Sequence, residues 1–170
     1  MRLKEQLAHF ELVFLVHAYS MPGRDLDERF HAMLLPRESR EASMQVGRQL
    51  LRNACDLFDR AALHQAADEL PYAHHPVVYG IVGSALGLPR ETAAETYAFQ
   101  AVRGQISAAQ RLTRLGQVEA QRLLHRVKPR IEEAVGTALD YPIEEAAPFM
   151  PILDIAAMAH ERSEVRLFVS

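Results

Sequence analysis

The stretch His75-Pro-Val-Val-Tyr-Gly-Ile-Val-Gly-Ser-Ala-Leu-Gly87 decides the fold class of this chain. Its valines and isoleucine favour a strand by propensity, but the apolar residues do not alternate with polar ones. A proline near the start and a glycine at the end are typical of a helix. The segment therefore predicts a buried central helix. Gly80, Ser84 and Gly87 share one face of it, which is expected to let a second helix approach closely.

Helices are also predicted before this central segment. Residues 3–20 form the first one; their second half is apolar nearly all round and should be buried. A short helix is expected over residues 25–35, with Asp25 as its N-cap. Pro36 then opens an amphipathic helix, because proline suits the first helical turn. Its apolar stripe consists of Met44, Gly47, Leu50, Leu51, Ala54 and Phe58.

Two longer helices are predicted after the central segment. Pro89 opens the first, and the second is expected over residues 115–139 with a kink or an interruption at Pro129. The fold class is therefore all-α. We expect a single helical bundle over residues 1–139, followed by a proline-containing linker and a C-terminal docking tail over residues 140–170.

The composition fits one globular domain. The chain has 170 residues, of which 49% are apolar and 24% charged, and this suffices for a real core. A net charge of -3 gives no indication of nucleic-acid binding. We expect a cytoplasmic protein, because the N-terminus lacks the features of a signal peptide and no uncharged run reaches the length of a membrane span. The single Cys55 excludes an intrachain disulfide and is expected to be buried.

The motifs of common enzyme and metal sites do not appear. Without a phosphate-binding glycine loop or a G-x-S-x-G elbow, no cofactor and no catalytic residue are predicted. His74-His75 has no third ligand nearby and is expected to be the polar start of a helix, and His160-Glu161 lacks the second histidine of a zinc motif. No carboxylate stands in an apolar run that would raise its pKa. The chain is therefore predicted not to be an enzyme.

A polar stretch near residue 115 is the first candidate binding site. Gln117 and Gln121 lie four residues apart on one helical face, and Arg111 and Arg122 flank them. Amides beside guanidinium groups offer directional hydrogen bonds that suit a protein–protein contact. The same pattern also fits a solvated helix start, and the spacing alone does not separate the two interpretations.

The C-terminal tail is the second candidate binding site. Apolar residues near a chain end need a partner surface, either in their own domain or on another protein. The tail mixes such residues with charged ones. Its predicted partner-binding residues are His160, Glu161, Arg166, Leu167 and Phe168.

Three sequence blocks and the tail resemble the UreF family of urease accessory proteins. The first block is Leu35-Pro-Arg-Glu-Ser-Arg-Glu-Ala-Ser43, which leads to Gly47-Arg-Gln-Leu-Leu51. The second is His75-Pro-Val-Val-Tyr-Gly80 with Ala85-Leu-Gly-Leu88, and the third runs from Ala109 to Arg122. The tail adds Asp154-Ile-Ala-Ala-Met-Ala-His-Glu161 and Arg166-Leu-Phe-Val-Ser170. These blocks stand in family order and cover nearly the whole chain.

The resemblance implies an all-helical, non-enzymatic chaperone for urease maturation. It implies a homodimer that binds UreD (also called UreH), recruits the GTPase UreG and couples GTP hydrolysis to nickel delivery into apo-urease. On this basis the Gln117 and Gln121 face is expected to contact UreG, and the tail is expected to dock on UreD.

Two departures from the family pattern bear on these expectations. The family pattern leads us to expect a further N-terminal segment before Met1. Within the third block, Thr113-Arg114 replaces a usual apolar-Pro pair, and Val118-Glu-Ala120 replaces a usual Thr-Asp-Gly. Two other hypotheses stay open from the residues alone. One is a generic helical adaptor, and the other is a small helical enzyme whose active site is assembled from scattered residues.

Overall fold

The computed structural model of the chain describes residues 7–113 and 115–148. These residues form helices and contain no strand, so the prediction of an all-α fold is confirmed. In chain order the elements are a π-helical segment (Leu7–Glu11), α1 (Leu12–His17), α2 (Gly23–Met33), α3 (Arg37–Leu57), α4 (Ala61–Glu69), α5 (His75–Ala85), α6 (Arg90–Leu112), α7 (Gln117–Asp140) and a 3-10 turn (Ile143–Glu145). None of the helices in this part of the chain is long and apolar enough to span a membrane.

Helix α5 lies at the centre of the fold, between two apolar clusters. Val77 is buried in the larger cluster, which includes residues of α1, α2, α6 and α7. Val78 is buried in the smaller cluster, which α5 forms with α3 and α4. Because both sides of α5 are covered, apolar residues occupy most of its circumference, and this explains why the segment has no clear periodicity. The prediction of a buried central helix is confirmed.

Helix α1 and the turn that follows it approach α5 closely at two glycines. A Cβ atom at Gly80 would collide with the carbonyl oxygen of Leu15, and one at Gly83 would collide with the hydroxyl of Tyr19. Of the three residues predicted to form the face that contacts a second helix, two were wrong. Ser84 is exposed, and Gly87 ends the helix at a φ of 72° with nothing within 4 Å of its Cβ position. Gly83, three residues after Gly80, takes their place on the contact face.

Several helix boundaries differ from the predictions. Helix α2 begins at Gly23, after an extended Pro22, so Asp25 lies inside the first turn and does not cap the helix. Helix α7 continues through the exposed Pro129 without interruption. Phe58 follows the end of α3 and is 41% exposed instead of completing the apolar stripe. The stripe itself is present, since Gly47, Leu51 and Ala54 are buried.

Two further positions refine the predicted burial pattern. Cys55 is only partly buried, although it does carry a free thiol and packs beside the smaller cluster.

Residues 141–148, the first part of the expected linker, pack on the bundle. Ile143 and Ala146 are buried there, and the Ala147 N–H donates to the carbonyl of His9 at 3.2 Å. The predicted docking tail lies outside the described residues.

Candidate functional site

The first predicted binding site lies where α6 and α7 meet. Helix α6 ends at Leu112 and α7 begins at Gln117, and the two helices pack against each other as an antiparallel pair. Near the turn the Gln110 Nε2 atom lies 3.5 Å from the Gln117 Oε1 atom. All four predicted residues of this site are exposed: Arg111, Gln117, Gln121 and Arg122.

A polar cleft of about 200 Å³ opens between the two helices. Gln117 and Gln121 line it from α7, so the structure brings these two predicted residues into one concave site. Arg103, Ser107 and Gln110 line it from α6, and the sequence analysis missed all three. Their spacing of four and then three residues places them on one helical face, and this spacing is the signal that could have identified them.

An open groove of about 850 Å³ lies along the other side of the first turns of α7. Of the described residues, those that line it are Val118, Glu119, Gln121, Arg122, His125 and Arg126. Arg122 therefore belongs to the groove and not to the cleft, whereas Gln121 lines both. Arg111 lines neither and lies on the last turn of α6.

Two large aliphatic side chains are exposed beside these residues. Leu112 is 71% exposed at the end of α6, and Val118 is 65% exposed at the start of α7. We refer to this surface as the α6–α7 patch, and it consists of Arg103, Ser107, Gln110, Arg111, Leu112, Gln117, Val118, Glu119, Gln121, Arg122, His125 and Arg126. It combines hydrogen-bonding groups, positive charge and apolar area, as protein interfaces do.

A buried polar cluster lies at the start of α5, where residues of α2 and α3 meet it. The fully buried Asp27 accepts the backbone N–H groups of Tyr72, Ala73 and His74 at 2.8, 2.9 and 2.8 Å. Helix α5 has no side-chain cap from its own N-cap residue. Asp27 thus holds the residues that lead into α5. Gly47 of α3 packs against the same segment, close to the carbonyl oxygen of Ala73.

His74 is fully buried in the same cluster, with partners for both ring nitrogens. Its Nε2 atom lies 3.1 Å from the His31 Nδ1 atom, and its Nδ1 atom lies 3.1 Å from the Ser43 hydroxyl. Burial, together with the neighbouring His31 and the positive charges of Arg40 and Arg48, lowers the pKa of His74 to about 4. His74 is the N-cap position of α5, as expected of a helix start. Within the described ranges no group of three or more metal-binding side chains occurs.

A second internal cluster corrects an expectation about carboxylates. The Tyr97 hydroxyl donates to Glu11 Oε2 at 2.7 Å, and burial raises the pKa of Glu11 above its usual range. Burial also lowers the pKa of His75 to about 4, and its ring lies 5.0 Å from that of Tyr97. This was not visible in the sequence, because Glu11 precedes its apolar run and becomes partly buried only when Tyr97 of α6 packs against it.

The predicted tail residues His160, Glu161, Arg166, Leu167 and Phe168 all lie outside the described part of the chain.

Comparison with known proteins identifies the family of this chain. The family model described as UreF matches residues 1–128. This match covers well over half of the chain, and the chain therefore belongs to the UreF family.

Individual relatives extend the same similarity. The urease accessory protein UreF of Bacillus sp. (strain TB-90) is 31% identical over 150 residues, which are 86% of this chain and 66% of that protein. UreF of Sporosarcina pasteurii is 29% identical over 182 residues, covering all of this chain and 90% of the relative. Urease accessory protein F of Oryza sativa subsp. indica is 34% identical over 149 residues, which are 84% of this chain and 57% of that protein. The chain thus spans about two thirds of the length of several relatives.

Proposed function

We propose that this chain is a urease accessory protein that acts with UreD (UreH) to recruit and regulate the GTPase UreG for nickel insertion into apo-urease. Its membership of the UreF family supports the urease role. The structural observation that carries the proposal is the α6–α7 patch, where Gln117 and Gln121 are exposed, share a cleft and leave hydrogen-bonding groups available to a partner.

The proposed role is non-catalytic. The buried titratable groups are used to hold helices together: Asp27 binds three backbone N–H groups, and Glu11 binds Tyr97. The exposed patch contains amides, arginines and aliphatic side chains, which suit binding to a protein more than bond-making chemistry. A cytoplasmic location is part of the same proposal.

We also propose that the protein forms a homodimer. Exposed apolar side chains on α3 support this, because Val46 and Leu57 lie on one helical face and are 49% and 74% exposed, with the polar Gln49 and Asn53 between them. Phe58, which follows the end of the helix, is also exposed. Exposed apolar patches commonly mark protein interfaces.

The C-terminal tail is proposed to dock on UreD. Its apolar residues, which include Leu167 and Phe168, provide area to bury, and Arg166 provides a directional charged contact.

The test of the UreG site is the double variant Gln117→Ala/Gln121→Ala. Folding should be unaffected, because exposed polar substitutions usually change stability by within about 0.5 kcal/mol. Urease activation in cells that carry the urease genes should fall. The matched control is Gln45→Ala/Gln105→Ala, since both glutamines are exposed and neither lines the cleft. Equal activation by the test and control variants at equal protein levels would refute the assignment.

A further inference from the structure

We propose that the α6–α7 patch binds an acidic protein surface. Carboxylates of the partner contact Arg111, Arg122 and Arg126 around a central aliphatic contact at Leu112 and Val118. One partner carboxylate enters the cleft beside Arg103. The inference rests on the proposed function, in which this partner is UreG, and it adds the chemistry by which the partner is recognised.

Positive charge is concentrated in the segment that forms the patch. From residue 103 to residue 128 the sequence has five arginines and one lysine against a single glutamate. This segment is therefore strongly positive, although the chain as a whole has a net charge of -3. Positive charge concentrated at one end of a helical pair attracts a negative surface and raises the rate of association with it.

The arginines of the patch have no partner within the described part of the chain. Among the described residues no ion pair or hydrogen bond involves Arg103, Arg111, Arg122 or Arg126. By contrast, Arg24 and Arg37 on other helices each pair with a glutamate four residues later, at 3.0 and 2.7 Å. The guanidinium groups of the patch are thus free, within this part of the structure, to form bidentate contacts with a partner's carboxylates.

The cleft between α6 and α7 is lined by hydrogen-bond donors. Arg103 contributes the positive charge, and Ser107, Gln110, Gln117 and Gln121 contribute hydroxyl and amide donors around about 200 Å³ of space. Such a set of donors matches the acceptor oxygens of a carboxylate side chain. A carboxylate seated there is held by directional hydrogen bonds, and the exposed Leu112 and Val118 can bury apolar area beside it.

Protein fits the patch better than nucleic acid does. Residues 100–128 contain no Phe, Tyr or Trp, so no aromatic side chain is present to stack on bases. The charged groups alternate with aliphatic side chains, and acidic residues elsewhere on the chain would repel a long polyanion. These properties suit a folded acidic partner that contacts only one end of the bundle.

The test measures UreG binding to the full chain in complex with UreD by biolayer interferometry. The variant Arg111→Glu/Arg122→Glu should weaken binding by about 30-fold at low salt. Wild-type binding should weaken by about tenfold between about 50 and about 500 mM NaCl, and the variant should lose this salt dependence. The control Arg52→Glu/Arg90→Glu makes the same charge change at exposed positions outside the patch and should alter binding by less than about threefold.

A second variant, Leu112→Ala, tests the aliphatic contact and should weaken binding by about fivefold without changing the salt dependence. Circular dichroism of each variant controls for folding. If wild type binds UreG and both arginine pairs have the same effect, the charge inference is wrong while the proposed function stands. If the UreD complex of wild type does not bind UreG, both are wrong. Two further outcomes would exclude an acidic protein partner. In the first, Arg111→Glu/Arg122→Glu leaves UreG binding intact but abolishes binding of a short fluorescent RNA. In the second, the same variant changes only self-association in sedimentation.

Discussion

The Asp27 carboxylate accepts the backbone N–H of His74 at 2.8 Å, across 47 positions of sequence. With the N–H groups of Tyr72 and Ala73 it forms a cap for α5 that comes from another helix. Ala73 has a φ of 56°, a region that residues other than glycine adopt only when their surroundings favour it. The carboxylate thus connects α2 to the start of the central helix.

Replacement of this carboxylate should destabilise the protein strongly. Asp27→Ala leaves three N–H groups without their acceptor, and two of these bonds are buried, so we expect a loss of about 3 kcal/mol or more. The free energy of unfolding from urea titration measures it. The exposed Asp68→Ala variant is the control and should change stability by within about 0.5 kcal/mol. A similar small change in Asp27→Ala would contradict the capping role.

The free energy of unfolding should decrease as the pH is lowered from 6.5 to 4. The reason is that the pKa values of His74 and His75 are lowered from 6.5 to about 4 in the folded state. In this window the unfolded chain takes up protons at these two histidines and the folded chain does not. The stabilisation is therefore complete above pH 6.5 and is lost as the pH falls to about 4.

The variant His75→Phe checks this interpretation. It removes one of the two titrating groups while keeping a ring beside Tyr97. Urea unfolding at several pH values should show a shallower decline than in wild type. Glu11, whose raised pKa acts in the opposite direction, is present in both proteins. Identical pH profiles would show that His75 does not contribute.

Gly80→Ala should destabilise the fold, because the new methyl group would collide with the carbonyl oxygen of Leu15 on α1. Overpacking against backbone costs about 1–3 kcal/mol. Gly104→Ala is the matched control in α6, where nothing lies within 4 Å of the Cβ position, and it should stabilise by about 0.5–1 kcal/mol. Thermal melts of the two variants should therefore shift in opposite directions.

Leu57→Glu should convert the proposed homodimer into a monomer, because a charge would replace an exposed apolar side chain at the proposed interface on α3. Leu88→Glu introduces the same charge at another exposed leucine and should leave the dimer intact. Analytical ultracentrifugation distinguishes the two states. A dimer that persists in Leu57→Glu would place the interface elsewhere, and a monomeric wild type at all concentrations would refute dimerisation.

Deletion of residues 154–170 should abolish the UreD pull-down while circular dichroism stays helical. Each fully buried apolar side chain could contribute about 1.5–3 kcal/mol to docking, so loss of several anchors should be decisive. Retained UreD binding would show that the tail does not dock on this partner.

The sequence by itself determined the helices and one face of most of them. The apolar stripe of α3 follows from helical periodicity, and it places Gly47, Leu51 and Ala54 on one buried face. The helix starts near residues 36 and 89 follow from the backbone preferences of proline, which act within a few residues. The same local rules placed Gln117 and Gln121 on one exposed face. Such features need no knowledge of what packs against the helix.

Only the tertiary structure decided which polar groups are buried and which residues share a cleft. Asp27, Glu11 and Gly83 look ordinary in the sequence, and their roles arise because α5, α6 and α1 respectively pack onto them. Arg103 reaches the candidate site only because α6 and α7 lie side by side. The physical reason is that burial and concave surfaces are set by contacts between residues far apart in the chain, and periodicity within one helix carries no information about those contacts.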